Sequence, residues 1–118
     1  MGLLNADLVL GLLNAEERTY TVIANNLANV DTPGYRTSRV RFSDELGKLV
    51  NDAGDLLPGR QVGTDVWRPM YHDVSNDGND VALEREIVEL NKNQLRMRFY
   101  LGVLDGRIRK IRAAIQGR

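Results

Sequence analysis

The sequence of 118 residues contains no cysteine and only one histidine, His72. Without cysteine, the chain can form no disulfide bond, no thiolate nucleophile and no cysteine-ligated zinc site. A single histidine allows no histidine pair or triad, and there is no Ser-His-Asp order, nucleotide-binding loop or glycine-rich phosphate motif. The sequence therefore indicates that the chain is not an enzyme, and we expect no catalytic residue, no cofactor, no metal and no small-molecule substrate.

An excess of charge of one sign is also lacking, because 16 basic residues balance 16 acidic residues. This balance does not favour nucleic acid or an anionic membrane as a partner. The charges are unevenly placed, however, since residues 96–118 hold seven bases and one acid, whereas residues 42–90 hold eleven acids and four bases. A subunit with opposite charge at its two ends favours head-to-tail contacts. The alternative explanation is that these charges complement the helix dipoles and keep the chain in solution.

Long hydrophobic runs are absent as well. The apolar segment at residues 3–13 is too short to span a bilayer, and charged residues follow it. The first residues lack the basic segment of a secretory signal peptide and the pattern needed for myristoylation. We therefore expect neither a direct membrane span nor a cleaved signal peptide.

The positions of apolar residues predict a first long helix over roughly residues 3 to 29. Two neighbouring lines of mostly apolar side chains run along this helix. The first line is Leu3, Ala6, Leu10, Leu13, Glu17, Tyr20, Ala24 and Leu27, and the second is Leu4, Leu8, Leu12, Ala15, Thr19 and Val22. A helix that is apolar on most sides needs several neighbours rather than one.

A second long helix is predicted after Asp80, which we expect to cap its start. Along this helix, positions alternate four and three residues apart as in a coiled coil, and only Gln94 interrupts the apolar pattern. We interpret the apolar positions as an assembly seam, which consists of Leu83, Ile87, Leu90, Met97, Leu101, Leu104, Ile108, Ile111 and Ile115. The sequence thus predicts a mainly α protein whose two terminal helices pair as a coiled coil.

Two glycines interrupt the second helix away from the seam. Each should cost about 0.8–1 kcal/mol relative to alanine in a helix interior. They suggest a second contact face, where a neighbouring helix comes close, made of Phe99, Gly102, Val103 and Gly106. Simple tolerance of two exposed glycines is the alternative.

The middle of the chain is expected to be loop-rich. We divide the single structural unit into an N-terminal helix at 1–30, a turn and irregular segment at 31–80, and a C-terminal heptad helix at 81–118. Residues 36–42 alternate as an extended segment does, and we expect a small hairpin within residues 62–71. A short helix is predicted between them, with Ser43 as its cap and with the apolar residues Leu46, Leu49 and Val50.

One part of the middle segment resembles a calcium-binding loop of the EF-hand type. The spacing D-x-S-x-D-G-x5-E is present at Asp73, Ser75, Asp77, Gly78 and Glu84. An aliphatic residue is missing at the eighth loop position, and prolines and glycines break the region where a preceding helix should lie. A turn that leads into the second helix therefore explains this segment better than a calcium site.

The first helix is predicted to end in a sharp turn. Asn and Asp side chains offer local hydrogen bonds to the backbone, and Thr32 is pushed out of helical geometry because a proline follows it. Pro33 and Gly34 fit the two central positions of a type II turn, the second of which requires positive φ. The residues that form this motif are Asn26, Ala28, Asn29, Asp31, Thr32, Pro33, Gly34 and Tyr35.

The contiguous sequence of this turn closely resembles the N-terminal signature of bacterial flagellar axial proteins, the rod, hook and hook-associated subunits. It reads Asn26-Leu27-Ala28-Asn29-Val30-Asp31-Thr32-Pro33-Gly34-Tyr35. The opening of the second helix is similar to that of flagellar rod proteins, and it reads Asp77-Gly78-Asn79-Asp80-Val81-x-Leu83-Glu84-x-Glu86. The chain is on these grounds identified as a member of the bacterial flagellar basal-body rod protein family.

Two features resemble the subunits of the proximal rod in particular. One is the pattern Tyr35-Arg36-x-x-x-Val40-x-Phe42-x-x-x-Leu46 after the turn. The other is the stretch at residues 94–101, which lacks the Gln-Arg-x-Tyr-x-Ala-Asn pattern typical of other rod and hook proteins. The resemblance implies a structural subunit that lies near the base of the rod, on the periplasmic side of the flagellar basal body.

The resemblance also implies how the subunit is delivered and which partners it meets. Related subunits leave the cell through the flagellar type III export system without a cleaved signal, and they polymerise through their terminal helices. The implied partners are further copies of the chain, other rod subunits and proteins of the basal-body base and export gate. The alternative, from the residues alone, is a soluble coiled-coil adaptor or chaperone that binds one partner helix.

Overall fold

The computed structural model describes residues 6–42 and 62–117. Within them the chain forms helix α1 at Ala6–Ala28, strand β1 at Arg39–Phe42, strand β2 at Thr64–Trp67 and helix α2 at Leu83–Gln116. The protein is therefore mainly helical, with two long helices and a small sheet, as the sequence predicts. The predicted short helix after Ser43 and the first residues of the predicted first helix lie outside the described residues.

The two helices pack side by side and run in opposite directions. Near one end of the pair the side chain of Asn26 on α1 contacts Glu86 on α2, and near the middle Glu16 contacts Arg96. The two contacts show that the helices are antiparallel, because ten residues toward the start of α1 correspond to ten residues toward the end of α2. The same pairing places Ala6 beside Gly106, so the last turns of α2 extend past the described start of α1.

The buried apolar residues lie on one face of α1, and they are Leu8, Val9, Leu12, Ala15 and Ile23. Leu8, Leu12 and Ala15 belong to the second of the two lines predicted for the first helix, whereas Val9 and Ile23 belong to neither line. Residues of the first line, such as Leu10 and Tyr20, are exposed instead. The helix buries one stripe because a single partner helix and a two-stranded ribbon can cover only part of its circumference.

Helix α2 contributes differently to the packing. Among the described residues of this helix, only Glu86 and Asn93 are buried. Polar and charged side chains are rarely buried unless they are paired with other polar groups. The contact between the two helices must therefore depend on hydrogen bonds and ion pairs as well as on apolar packing.

Strands β1 and β2 form an antiparallel ribbon, in which Arg39 pairs with Trp67 and Phe42 pairs with Thr64. Residues 36–42 thus contain the extended segment that was predicted. The hairpin expected within residues 62–71 differs, since β2 pairs with the earlier strand β1 and not with a strand from its own segment. Pro69 cannot donate a ladder hydrogen bond and Met70 adopts a φ of 57°, so the chain leaves the sheet after β2.

The ends of α2 show one agreement with the sequence prediction and one difference. Gly117 ends the helix with a φ of 68°, and its N–H donates to the carbonyl of Ala113. The residue at the N-cap position is Ala82, which makes no side-chain capping bond. The prediction that Asp80 caps this helix is therefore wrong, because its carboxylate is held by Thr37 and Tyr71 instead.

Candidate functional site

The turn at the end of α1 has the geometry that its sequence predicts. The N–H of Tyr35 donates to the carbonyl of Thr32 at 3.2 Å, which closes a four-residue turn. Gly34 lies third in this turn with a φ of 74°, in the left-handed region that glycine occupies without steric cost. Ala28, Asp31 and Pro33 are exposed, so only part of the motif faces the interior.

Asn26 is the motif residue that makes the most internal contacts. Its side chain is fully buried, and its amide nitrogen donates to the carbonyl of Ser38 at 2.8 Å and to Glu86 at 2.7 Å. Its amide oxygen accepts from the Tyr35 hydroxyl and from the Ser38 N–H, both at 3.0 Å. One side chain therefore links the end of α1, the turn, the start of β1 and the start of α2.

Glu86 is the charged member of this cluster. Its carboxylate accepts two parallel hydrogen bonds from the guanidinium of Arg39, one of them at 2.7 Å. Burial opposes the charge on Arg39, but the hydrogen bond and the charge of Glu86 outweigh it and raise the pKa of Arg39. Such a bidentate pair compensates for the cost of removing Glu86 from water and fixes the position of β1 beside α2.

The segment before α2 is bound directly to the turn. The amide nitrogen of Asn79 donates to the carbonyls of Asn29 and Thr32, both at 2.8 Å. Both carbonyls lie in the turn after α1 and also accept backbone hydrogen bonds, from the N–H of Thr32 and the N–H of Tyr35, so Asn79 adds a second bond to each and ties the start of α2 to the turn. The N–H of Gly34 also donates to the carbonyl of Asp77 at 2.8 Å.

Asp80 completes the cluster. Its carboxylate accepts hydrogen bonds from the hydroxyl of Thr37 at 2.9 Å and from the N–H of Tyr71 at 3.1 Å. Burial alone would raise the pKa of Asp80, but the bonds from Thr37 and Tyr71 and the nearby charge of Arg36 lower it below its ordinary value. We call the five buried residues of this cluster the polar joint, which consists of Asn26, Thr37, Asn79, Asp80 and Glu86.

A second buried polar cluster lies halfway along the helix pair. Glu16 is fully buried, and it accepts hydrogen bonds from Asn93 at 3.0 Å and from Arg96 at 2.7 Å. Asn93 also donates to the backbone carbonyl of Glu16 at 2.8 Å. This mid-helix cluster of Glu16, Asn93 and Arg96 fixes one register of α2 on α1, since a shift along the axis would leave the buried carboxylate unpaired.

The predicted assembly seam lies mostly outside the contact between the two helices. Leu90, Met97 and Leu104 are half-buried against the rest of the protein. The other six seam residues have fractional exposures from 45% to 79%, and they are Leu83, Ile87, Leu101, Ile108, Ile111 and Ile115. The face of α2 that packs on α1 is rotated away from the seam, because it centres on Glu86, Asn93 and Arg96.

The residues of the predicted second contact face also reach the surface. Phe99 is 61% exposed, and its ring meets that of Tyr100 edge to face with 5.7 Å between centroids. A Cβ added at Gly102 or Gly106 would meet no atom within 4 Å. Val103 is half-buried. Both positions therefore have room for a larger side chain in the free subunit.

In the loop that resembles a calcium site, two of the candidate ligands, Ser75 and Asp77, are engaged in hydrogen bonds within the loop. The hydroxyl of Ser75 donates to Asp77, and the carboxylate of Asp77 also accepts from the N–H of Asn79 at 3.1 Å. Gly78 has a φ of 84° and closes a turn with Ser75. Within residues 6–42 and 62–117, no three histidine, cysteine or acidic side chains are grouped so that they could hold a metal ion.

Sequence reasoning named Asn26, Asp80 and Glu86 but did not predict that they are buried together, and it missed the mid-helix cluster of Glu16, Asn93 and Arg96 altogether. The available signal was the position of Glu86 and Asn93, which lie seven residues apart on one face of α2, beside the apolar seam. Glu16 similarly follows Ala15 within an apolar stretch of α1. Polar residues at such positions are expected to be buried and paired when a helix packs on them.

The amide of Asn26 provides the first test of the polar joint. Asn26→Ala should lower the free energy of unfolding by at least about 2 kcal/mol, because several buried donors and acceptors lose their partner. Urea denaturation measures this change. The neighbouring Asn25→Ala serves as the control, since Asn25 is exposed and should tolerate the change. Equal losses in both variants would show that Asn26 has no special role.

The pH dependence of stability provides the second test. Because the pKa of Asp80 is lowered in the folded protein, its contribution is fully present above the unfolded value of about 3.9 and is lost as the pH falls further. Asp80→Asn should be less stable at pH 7 and should lose less stability between pH 5 and pH 2 in thermal denaturation. The control is Asp31→Asn, at an exposed position, which should have the thermal stability of the wild type at pH 7. If the wild type and Asp80→Asn lose the same stability between pH 5 and pH 2, the role assigned to Asp80 is contradicted.

Comparisons with known proteins agree with these observations. The family profile described as "Flagella basal body rod protein" matches residues 13–36, which include the turn and part of the polar joint. The chain is 30% identical to the flagellar basal body rod protein FlgB of Borrelia hermsii over 78% of this chain and 81% of the relative. It is 28% identical to FlgB of Escherichia coli K12 over 88% of this chain and 87% of the relative.

A third relative gives the same result, since FlgB of Salmonella typhimurium is 27% identical over 89% of this chain and 88% of its own length. These matches confirm the resemblance that was identified from the turn motif, including its narrower likeness to the proximal rod protein. Neither described helix is long and apolar enough to cross a membrane. The chain therefore belongs to the FlgB family of flagellar basal body rod proteins, the structural subunits of the basal-body rod.

Proposed function

We propose that the subunit is built into the rod through the assembly seam of α2. The observation that carries this proposal is the exposure of six of the nine seam residues, which includes 79% exposure at Ile115. A contiguous apolar stripe that the protein's own fold leaves uncovered is typical of a surface that a partner covers. The polar joint and the mid-helix cluster support the proposal, because they hold α2 in the orientation that turns this stripe outward.

The energetics favour burial of the seam in an assembly. Covering a half-exposed leucine or isoleucine stabilises the complex by about 1 kcal/mol, so six such residues supply a substantial driving force. The free chain has a small apolar core, since five apolar side chains are buried among the described residues. Subunits of this kind gain stability when partners supply the missing surface. Contacts between different faces of neighbouring copies would extend into a helical tube.

The remaining parts of the proposal follow from the family. The chain acts as a structural protein and not as an enzyme, and its partners are further copies, other rod subunits and proteins of the basal-body base and export gate. It reaches the periplasmic side of the basal body through the flagellar type III export system, without a cleaved signal peptide. Residues 1–30, 31–80 and 81–118 act as one structural unit, which the hydrogen bonds of the polar joint support.

Substitutions in the seam test this function. The double variant Ile108→Ser and Ile111→Ser should retain the helix content of the wild type, since both side chains are exposed in the free chain. It should fail to enter the rod and should abolish swimming when it replaces the native subunit in its own bacterium. Mass spectrometry of purified basal bodies measures incorporation, and a motility assay measures swimming.

Val74→Ser provides the matched control, because Val74 is exposed to a similar extent but lies in the loop before α2. This variant should support incorporation and swimming. Normal incorporation of the seam variant would contradict the proposal. A seam variant that stays in the cytosol while the wild type forms only a stable dimer there would favour the coiled-coil adaptor instead.

The second contact face is tested by changing Gly102 and Gly106 to alanine together. Since neither added Cβ would meet an atom within 4 Å, the free subunit should gain helix stability. If a neighbouring helix lies close to this face in the rod, the added methyl groups should reduce incorporation into basal bodies. Increased thermal stability with full incorporation would show that the glycines are merely tolerated.

A further inference from the structure

Helix α1 contains a single glycine, Gly11, and a later part of the chain packs directly over it. A Cβ added at Gly11 would lie 2.8 Å from Cγ2 of Val62 and 3.3 Å from its Cβ, so something would have to move. Gly102 and Gly106 in α2 differ, because a Cβ at either position would meet no atom within 4 Å. Of the three glycines in the described helices, only Gly11 therefore leaves a space that the fold occupies.

The segment that packs over Gly11 leads straight into the sheet. We call residues 62–64 the strap. Its first residue, Val62, lies at Gly11, and the hydroxyl of Thr64, where β2 begins, accepts a hydrogen bond from Arg18 at 3.0 Å. Gly11 and Arg18 are seven residues apart, about two helical turns, so they lie on the same flank of α1. The strap thus runs along this flank and is attached to it at two points.

The strap could not accommodate a side chain at residue 11 by a small adjustment. Valine is branched at Cβ and has few alternative rotamers. Rotation would also leave the Cβ of Val62 in place, at 3.3 Å from the added atom. The backbone of the strap would therefore have to move away from α1. Since Thr64 pairs with Phe42 across the sheet, such a movement would displace the ribbon of β1 and β2.

We propose that Gly11 is a positioning residue, which forms a notch in α1 where Val62 is seated and thereby places the β1–β2 ribbon beside α1. The polar joint already fixes one end of this ribbon, because Arg39 at the start of β1 is paired with Glu86. The strap holds the opposite end, where Phe42 pairs with Thr64. Both ends of the ribbon are thus attached to the helix pair, one through buried charge and the other through close packing.

A glycine inside a helix normally lowers stability relative to alanine. At Gly102 this rule should hold, and Gly102→Ala should raise the folding equilibrium constant roughly four- to fivefold. At Gly11 the added methyl group meets the strap, and overpacking of this kind is destabilising. Gly11→Ala should therefore lower the folding equilibrium constant. The two substitutions are chemically identical, so Gly102→Ala is the matched control.

A double-mutant cycle attributes the effect to the strap. Val62→Gly removes both the Cγ2 and the Cβ that an added side chain would meet. In this background Gly11→Ala should raise the folding equilibrium constant roughly four- to fivefold, as Gly102→Ala does in the wild type. Urea denaturation of the four full-length proteins measures the constants. The effect of Gly11→Ala should differ between the two backgrounds by at least roughly fourfold.

Two results of this cycle would overturn the proposal. If Gly11→Ala stabilises both backgrounds equally, the space at residue 11 is unused and the glycine is merely tolerated. If it destabilises both equally, Val62 is not the group that it meets. Should Gly11→Ala fail to fold by itself, folding of the double variant with Val62→Gly supports the notch, and failure of the double variant as well overturns it.

Tryptophan fluorescence tests the placement of the ribbon. Trp67 is the single tryptophan and lies in β2, with the guanidinium carbon of Arg41 5.4 Å from its ring centroid. Gly11→Ala should shift the emission maximum of Trp67 while circular dichroism shows an unchanged helix content, and adding Val62→Gly should return the emission toward the wild-type value. Gly102→Ala should leave the emission unchanged. An unaltered spectrum in folded Gly11→Ala would show that the strap does not place the ribbon.

Discussion

One buried carboxylate, that of Glu86, connects three elements of the fold. Glu86 has no access to solvent, and an unpaired charge in such a position would cost several kcal/mol or more. Its Oε1 accepts from the guanidinium of Arg39 and from the amide of Asn26, and its Oε2 accepts a second bond from Arg39. Because these partners come from β1 and from the last turn of α1, satisfying one charge brings three elements together. The turn between Asn26 and Tyr35 must then be short and sharp, which its proline and glycine provide.

This polar joint and the mid-helix cluster have a consequence for the surface of the protein. Buried polar groups pair in one register only, so they fix the rotation of α2 about its axis as well as its position along α1. The rotation turns Glu86 and Asn93 toward α1 and leaves the most apolar stripe of α2 outside. A helix pair held by apolar contacts alone would instead bury that stripe and leave nothing for a partner. The fold thus gives up apolar burial between the two helices and leaves this stripe of α2 exposed.

Much of this architecture could be predicted from the sequence. The two long helices, the type of turn and the extended segment that becomes β1 follow from local periodicity and from residues such as Pro33 and Gly34. The family could also be recognised, because the turn motif is contiguous and specific. The orientation of α2 could not be predicted, since the heptad pattern of leucines and isoleucines is the same whether the partner is α1 or another subunit.

Long-range hydrogen bonds explain the other differences. Asp80 fits the N-cap position by its local sequence, yet Thr37 and Tyr71 hold its carboxylate elsewhere, and no local rule reveals those contacts. Strand β2 pairs with β1 across a long connection for the same reason. Polar residues inside apolar stretches, such as Glu16 and Asn93, were the available signal, and they become informative once two helices are placed against each other.

The central claim is that the free subunit exposes the α2 seam and that the rod covers it. Since the native chain has no cysteine, a single Ile108→Cys substitution gives one site for a maleimide probe. The labelling rate should be measured in the free subunit and in basal bodies purified from bacteria that carry the same variant. Rapid labelling of the free subunit and strong protection in the basal body are predicted. Equal rates in both would show that the exposed seam of α2 is not the surface through which this subunit is built into the rod.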